Sequence, residues 1–242
     1  MQSVSPQYEA EEKITVNGNV DLYAVVFNRT TETDLTEDQL PQVDIYKYKQ
    51  VIFVGDSRTE FMENVLTGMG ESATKNVKFV CSAGKGLDWF TTTGWAQLYS
   101  IVQHDSNSIL SKKTAVIFNF GVNDLSKSAD YAEYYNWIAP QLKSKGCELY
   151  FMSVNPVNRL MLPNAGRADR SEAAVRSFNQ YMKANLPSAY TYIDMYSYLK
   201  STGYSFASDH YGTGTVDDGL HYTTRTYKRI FAKCMDSLRV PA

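Results

Sequence analysis

From Tyr46 onward, short apolar runs alternate with longer stretches of helical character, and this alternation limits the folds open to the chain. The runs are Val51–Val54, Val77–Cys81, Ala115–Phe120, Glu148–Ser153 and Tyr190–Ile193. They are rich in β-branched and aromatic residues and too short for helices, so they read as strands. Helices are expected between them at Thr59–Thr67, Trp89–Gln103, Tyr131–Ser144 and Arg170–Asn185, and a last one at Thr223–Leu238. Along that last segment Thr224, Tyr227, Ile230, Phe231, Cys234 and Leu238 recur at helical spacing. Strands that alternate with helices pair in parallel through right-handed crossovers. The expected product is α/β: a three-layer α/β/α sandwich around a five-stranded parallel sheet, spanning residues 48–242.

Residues 1–47 differ and are expected to form an appendage. Gln2 to Lys13 is polar; Ile14-Thr15-Val16 and Leu22–Phe27 then flank Asn17-Gly18-Asn19, which reads as a β-hairpin. The acidic stretch from Asn28 to Gln42 reads as a linker or a wrapping segment. A net charge of −2 offers no attraction for nucleic acid or an anionic membrane. No stretch is apolar for the length of a membrane span. The polar, acidic start is not a signal peptide, so the protein is either cytoplasmic or read after loss of a leader. Three scattered cysteines make neither a disulfide framework nor a zinc site, and Cys81 and Cys147 read as buried thiols. No metal or organic cofactor is expected, and the sequence leaves oligomeric state open.

Four motifs fall where an open α/β sheet places its sites, after strands or before the last helix. Gly55-Asp56-Ser57-Arg58 follows the first strand; the glycine permits a sharp turn and Ser57 opens the next helix. Taken alone, Asp56 or Ser57 is equally an ordinary N-cap. Ser82-Ala83-Gly84-Lys85-Gly86 follows the second strand, either as a plain turn or as a place where a backbone N–H can approach a ligand. Gly121-Val122-Asn123-Asp124 follows the third; the Asn123 amide could donate to a developing oxyanion, or the pair could cap a helix. Asp218-Gly219-Leu220-His221 puts a carboxylate three residues before an imidazole, close enough to reach it on one local turn. A serine hydroxyl needs an adjacent base to act as a nucleophile, and His221 could be that base with Asp218 fixing its tautomer. The other histidines are His104, late in a predicted helix, and His210, which has no acidic residue three positions upstream.

In order and placement these four motifs resemble the SGNH (GDSL-type) hydrolase family, over about Tyr46 to Leu238. The resemblance implies a flavodoxin-like fold and a serine esterase. It implies Ser57 as nucleophile, His221 as general base and then acid, and Asp218 as the orienting carboxylate. It also implies an oxyanion hole built from the Ser57 N–H, the N–H of Gly86 (or Gly84) and the Asn123 side chain. Two positions depart from the family pattern: Arg58 replaces the common Leu or Ile, and Cys81 stands where Asn is frequent. Arg58 is expected either to read a substrate anion or to pair with a surface carboxylate, Trp89 to wall the cleft or begin a core-facing helix, and Asn155 to reach the site's edge. Polar segments at 163–169 and 201–217 are expected to form a rim. The abundance of tyrosine, 18 against 11 Phe, suits a sugar-lined cleft as well as a Tyr-rich surface. The expected substrate is a small-molecule or glycan ester with a short acyl group, with a longer-chain lipase or thioesterase, or a non-catalytic binding module, as alternatives. Separately, Thr15–Val25 resembles the closing strand of small β-repeats in bacterial surface proteins of the internalin type. With the family's frequent secretion, this points to an extracellular or cell-surface setting.

Overall fold

The structure, a computed structural model, describes residues 34–44, 47–105, 113–207, 213 and 217–238. The expected hairpin, the repeat-like phrase and His210 lie outside the described residues.

Five strands form one parallel sheet: β1 (Tyr48–Gly55), β2 (Val77–Cys81), β3 (Lys113–Asn119), β4 (Cys147–Met152) and β5 (Tyr190–Ile193). Their spatial order is β2-β1-β3-β4-β5. Because both neighbours of β1 come later in the chain, β2 on one side and β3 on the other, the winding reverses there, and a crevice opens at the C-terminal ends of β1 and β3. Ser57 follows β1, and Asn123 follows β3.

Central strands of such a sheet are covered on both faces, so their side chains are apolar without interruption. Val51, Ile52, Phe53 and Val54 are all fully buried, and alternation sends them to opposite cores. Ile52 and Val54 join Phe90, Leu98, Tyr135 and Phe178 on one face. This face is covered by α2 (Leu87–Trp89), α3 (Trp95–Asp105), α4 (Ser128–Ser144) and α5 (Glu172–Asn185). Val51 and Phe53 join Phe61, Leu199, Ile230 and Phe231 on the other. There α1 (Ser57–Met69) packs against α7 (Thr224–Ser237), with α6 (Met195–Thr202) beside them.

The strand and helix bounds differ from expectation where polar residues find partners. The first strand begins at Tyr48, because Gln50 is buried and donates to Thr114 across the β1–β3 pair (3.3 Å). The helix expected from Trp89 to Gln103 runs from Leu87 to Asp105 and carries a π-helical turn at Phe90–Gly94. Helix α6 was not anticipated: it has only two turns, too few for periodicity to show, but Asp194 caps it and Met195 and Leu199 are buried. The acidic segment wraps: Leu40 and Val43 are buried in the second core, and Asp34 pairs with Lys228 (3.1 Å). Cys147 and Cys234 are buried thiols, but Cys81 on the edge strand β2 is half-buried and donates to Glu63 (3.2 Å). Among the described residues, no helix is long and apolar enough to cross a membrane.

Candidate active site

The turn from β1 into α1 is the tightest point of the sheet's upper edge. A Cβ at Gly55 would come within 2.0 Å of the Thr59 hydroxyl and 2.7 Å of the Asn119 carbonyl, so only glycine fits there. Asp56 then caps the helix. Its carboxylate accepts from the Arg58 N–H (3.0 Å), and its carbonyl accepts from Thr59 and Glu60 (3.0 Å each). The first N–H groups of a helix have no partner within it. Here the Ser57 N–H is left without one among the described residues, at the positive end of the helix. Burial raises the Asp56 carboxyl to about 6, against the pull of the Arg58 N–H.

Ser57, His221 and Asp218 form an unbroken line. Ser57 Oγ lies 2.9 Å from His221 Nε2, and His221 Nδ1 lies 2.6 Å from Asp218 Oδ2. The other carboxylate oxygen of Asp218 accepts from the backbone N–H groups of Leu220 (2.9 Å) and His221 (2.8 Å). All three side chains are buried. Phe61 stacks on the imidazole with ring centroids 4.2 Å apart. Burial pushes the His221 ring below the ordinary 6.5, and the neighbouring Asp218 only partly offsets this. Burial would raise Asp218, but the donors from His221 and Leu220 together outweigh it and hold the carboxyl below its ordinary range. The neutral imidazole is therefore the resting form at neutral pH, with Nδ1–H facing the carboxylate and Nε2 free to accept.

Asn123 and Gly86 meet at the next strand ends. Asn123 Nδ2 donates to the Lys85 carbonyl (2.8 Å), and its Oδ1 accepts from Arg170 Nη2 (2.9 Å). A flipped amide would set two donors against each other and two acceptors against each other, so the orientation is fixed, with one amide N–H left over. Gly86 is held against Asp124: a Cβ there would fall 2.4 Å from the carboxylate. That carboxylate is pinned by the Leu87 N–H (2.9 Å) and the Tyr131 hydroxyl (2.8 Å). Gly84, by contrast, occupies a turn at φ +70° with nothing within 4 Å of its Cβ position.

Arg58 is turned inward, and among the described residues it forms no ion pair with a surface carboxylate. It is 2% exposed and lies over the Tyr222 ring, 5.1 Å from its centroid. Its guanidinium donates to the carbonyls of Leu220 (3.0 Å), Asn155 (2.8 Å) and Pro156 (2.8 Å). The Asn155 side chain is 1% exposed and does not line an open surface; among the described residues its amide has no hydrogen-bond partner. Trp89 is half-buried and packs against Phe120 (6.2 Å between rings), so it belongs mainly to the core-facing helix. A cleft of about 520 Å³ opens beside Asn123, lined among others by Ser126, Asp169, Arg170, Ser171 and Ser177. The rim expected at 163–169 supplies part of that lining. Sequence reasoning gave no role to Asp124's buttress, the Phe61 stack or Arg167, whose Nη2 reaches Asp218 Oδ2 at 3.2 Å.

A family model described as GDSL-like lipase/acylhydrolase matches residues 51–234. No curated protein matches the chain in sequence. Among solved structures, a candidate SGNH hydrolase from Slackia heliotrinireducens superposes with a TM-score of 0.55 at 13% identity, covering 79% of this chain and 100% of that one. A candidate acylhydrolase from Bacteroides fragilis gives 0.51 at 16% identity, covering 84% and 93%. An acetyl xylan esterase gives 0.50 at 12% identity, covering 79% and 100%. At these identities the likeness is one of fold.

Proposed function

The chain belongs to the GDSL-like lipase/acylhydrolase family and is an ester-hydrolysing enzyme, and from that premise we propose that it cleaves short-acyl esters, first of all acetyl groups on carbohydrate, using Ser57, His221 and Asp218. The observation that carries this reading is the continuous Ser57–His221–Asp218 hydrogen-bonded line.

In the proposed reaction Ser57 Oγ attacks the ester carbonyl carbon while His221 Nε2 takes the hydroxyl proton. The carbonyl π pair moves onto oxygen, and the resulting oxyanion faces the Ser57 N–H, the Gly86 N–H and the spare Asn123 amide N–H. Donors of this kind, fixed before reaction, are worth about 2.7–4 kcal/mol each. Asp218 stabilises the imidazolium without taking its proton. The C–O bond to the alcohol then breaks, and the alcohol leaves with the proton from His221. Water repeats the sequence on the acyl-enzyme and releases the acid.

Support for a polar alcohol comes from the cleft beside Asn123, whose lining includes three serines and Arg170. About 520 Å³ is room for a sugar ring, which the lining can meet with both its polar groups and the apolar faces of Val122, Leu125 and Ala174. The proposed setting is extracellular or cell-surface, on the strength of the repeat-like phrase at 15–25, and fractionation of the producing cell tests it. The catalytic reading is tested with p-nitrophenyl acetate and octanoate. Acetate should be cleaved faster, Ser57→Ala should lose at least roughly 10³-fold in kcat, and a fluorophosphonate should label only the parent. Equal turnover by Ser57→Ala refutes the assignment; preference for octanoate refutes the short-acyl part.

A further inference from the structure

The segment between β4 and α5 carries four charged side chains whose contacts form a pattern. Arg159 and Asp169 close the segment on itself through two parallel bonds, Nε to Oδ1 and Nη2 to Oδ2, both 2.7 Å. This fork-to-fork geometry is the most directional that an ion pair can adopt. Near the C-terminal end of the closed loop, two arginines turn inward to different parts of the site. Arg167 donates from Nη2 to Asp218 Oδ2, the same oxygen that faces His221 Nδ1. Arg170 donates from Nη2 to Asn123 Oδ1, from Nε to the Val122 carbonyl (2.6 Å) and from Nη1 to the Ala168 carbonyl (2.9 Å).

The pose of Arg167 is not one that simple packing selects. Its Nε is buried with no hydrogen-bond partner among the described residues, a cost that a solvated rotamer would avoid. Its backbone N–H is nevertheless tied to the Leu162 carbonyl (2.8 Å), which fixes where the side chain starts.

We propose that the Arg159–Arg170 loop sets both halves of the hydrolytic machinery at once, with Arg167 as a positioning residue for Asp218 and Arg170 as a positioning residue for the Asn123 amide. The inference rests on the hydrolase reading above. Arg167 shares an oxygen with the imidazole, so it limits how strongly Asp218 can favour the imidazolium. The groups facing His221 are Ser57, Arg58 and Phe61 from α1, Asp218 from its own loop, and Arg167 from this loop. Both arginines act against the charged ring, in the same direction as burial. Arg170 does different work: it holds Asn123 Oδ1 away from the oxyanion side and so presents the donor, with no direct influence on the imidazole.

The test uses the full chain and p-nitrophenyl acetate, with pH profiles of kcat/KM for Arg167→Met, Arg167→Lys, Arg170→Met, Arg170→Lys and Asp169→Asn. Fluorophosphonate labelling of the parent is run first. Arg167→Met should move the acid limb of the profile to higher pH, and Arg167→Lys should return it most of the way. Arg170→Met should lower kcat by about 10- to 100-fold with KM within about threefold, and leave the limb in place. Asp169→Asn, which opens the loop, should show both effects in weaker form. A parent that takes no probe overturns the hydrolase reading and this inference with it. A labelled parent whose Arg167→Met variant keeps the limb, or whose Arg170→Met variant keeps kcat, overturns the inference alone. The lysine variants retain the charge and guard against loss through misfolding.

Discussion

Arg58 Nε donates to the Leu220 carbonyl at 3.0 Å, joining the residue after Ser57 to the residue before His221. The two residues are 162 positions apart in sequence. The same guanidinium holds the Asn155 and Pro156 carbonyls just past the end of β4. One planar cation thus fixes the spacing between α1, the histidine loop and the β4 exit, which is the spacing on which the 2.9 Å Ser57–His221 contact depends.

Replacing Arg58 by Met should therefore act first on stability. The Leu220 and Asn155 carbonyls lose this donor, at about 1–3 kcal/mol each, while the Pro156 carbonyl keeps the Tyr222 hydroxyl. A total loss of about 3 kcal/mol corresponds to a fall in Tm of roughly 6–12 °C for a chain of this size. Thermal unfolding by circular dichroism measures it. An unchanged Tm with a raised KM would restore the substrate-anion role.

The acid limb of kcat/KM should lie below pH 6.5, because burial lowers His221 and the reaction needs the neutral ring. The same shift has a stability consequence with a definite sign. A histidine depressed on folding binds its proton more readily in the unfolded chain. It therefore costs nothing above pH 6.5 and removes stability as pH falls through 6.5 toward the folded value. Asp218 acts in the same direction lower down, since its contribution is present above the unfolded 3.8 and is lost as pH falls through its lowered folded value. Urea titrations between pH 4 and 8 on Asp56→Asn, which removes the opposing contribution of that raised carboxyl, should show stability declining on the acid side. A limb above 6.5 would mean that the ring is hydrated in solution.

Much of this site was legible because its residues sit at strand ends. Val77–Cys81 and Tyr190–Ile193 were bounded correctly by their apolar runs. The spacing of Asp218 and His221 also pointed to their local contact. What the sequence hid was side-chain direction over long separations. Arg58 looks like a solvent-facing residue of a first helical turn until the β4 exit is known to pass over it. Arg167 and Arg170 look like solvated charges in a polar loop because their partners lie 51 and 47 residues away. The close fit of Gly86 against Asp124 was hidden likewise, because Asp124 approaches from another strand end.

Asp56 gives a prediction of opposite sign to the acid losses. Its carboxyl is raised to about 6, so the folded state holds this proton more tightly than the unfolded chain does. Its effect on stability is absent below about pH 3.8, grows unfavourable as pH rises from 3.8 to 6, and stays constant above. Asn caps a helix as well as Asp does. Asp56→Asn should therefore raise stability above pH 6 by about 1–3 kcal/mol and make no difference near pH 3.5. Paired denaturant titrations at pH 3.5 and 7.5 measure it. Equal destabilisation at both pH values would show that the carboxylate is needed for something other than the cap.

Gly86→Ala and Gly84→Ala separate the two candidate oxyanion glycines. At Gly86 the new methyl meets an Asp124 carboxylate that cannot retreat without releasing Leu87 N–H and the Tyr131 hydroxyl. The backbone must shift instead, which costs about 1–3 kcal/mol and displaces the Gly86 N–H from its present position. At Gly84 the methyl enters open space, and the cost is the left-handed backbone alone, about 1–2 kcal/mol. The two variants should thus lose similar stability and differ in activity. Gly86→Ala should lose about 10- to 100-fold in kcat, and Gly84→Ala should stay within about threefold of the parent. Tm and kcat measured on the same preparations distinguish them. Loss of kcat confined to Gly84→Ala would assign the donor to Gly84 and leave the Asp124 contact as a packing feature of the α2 turn.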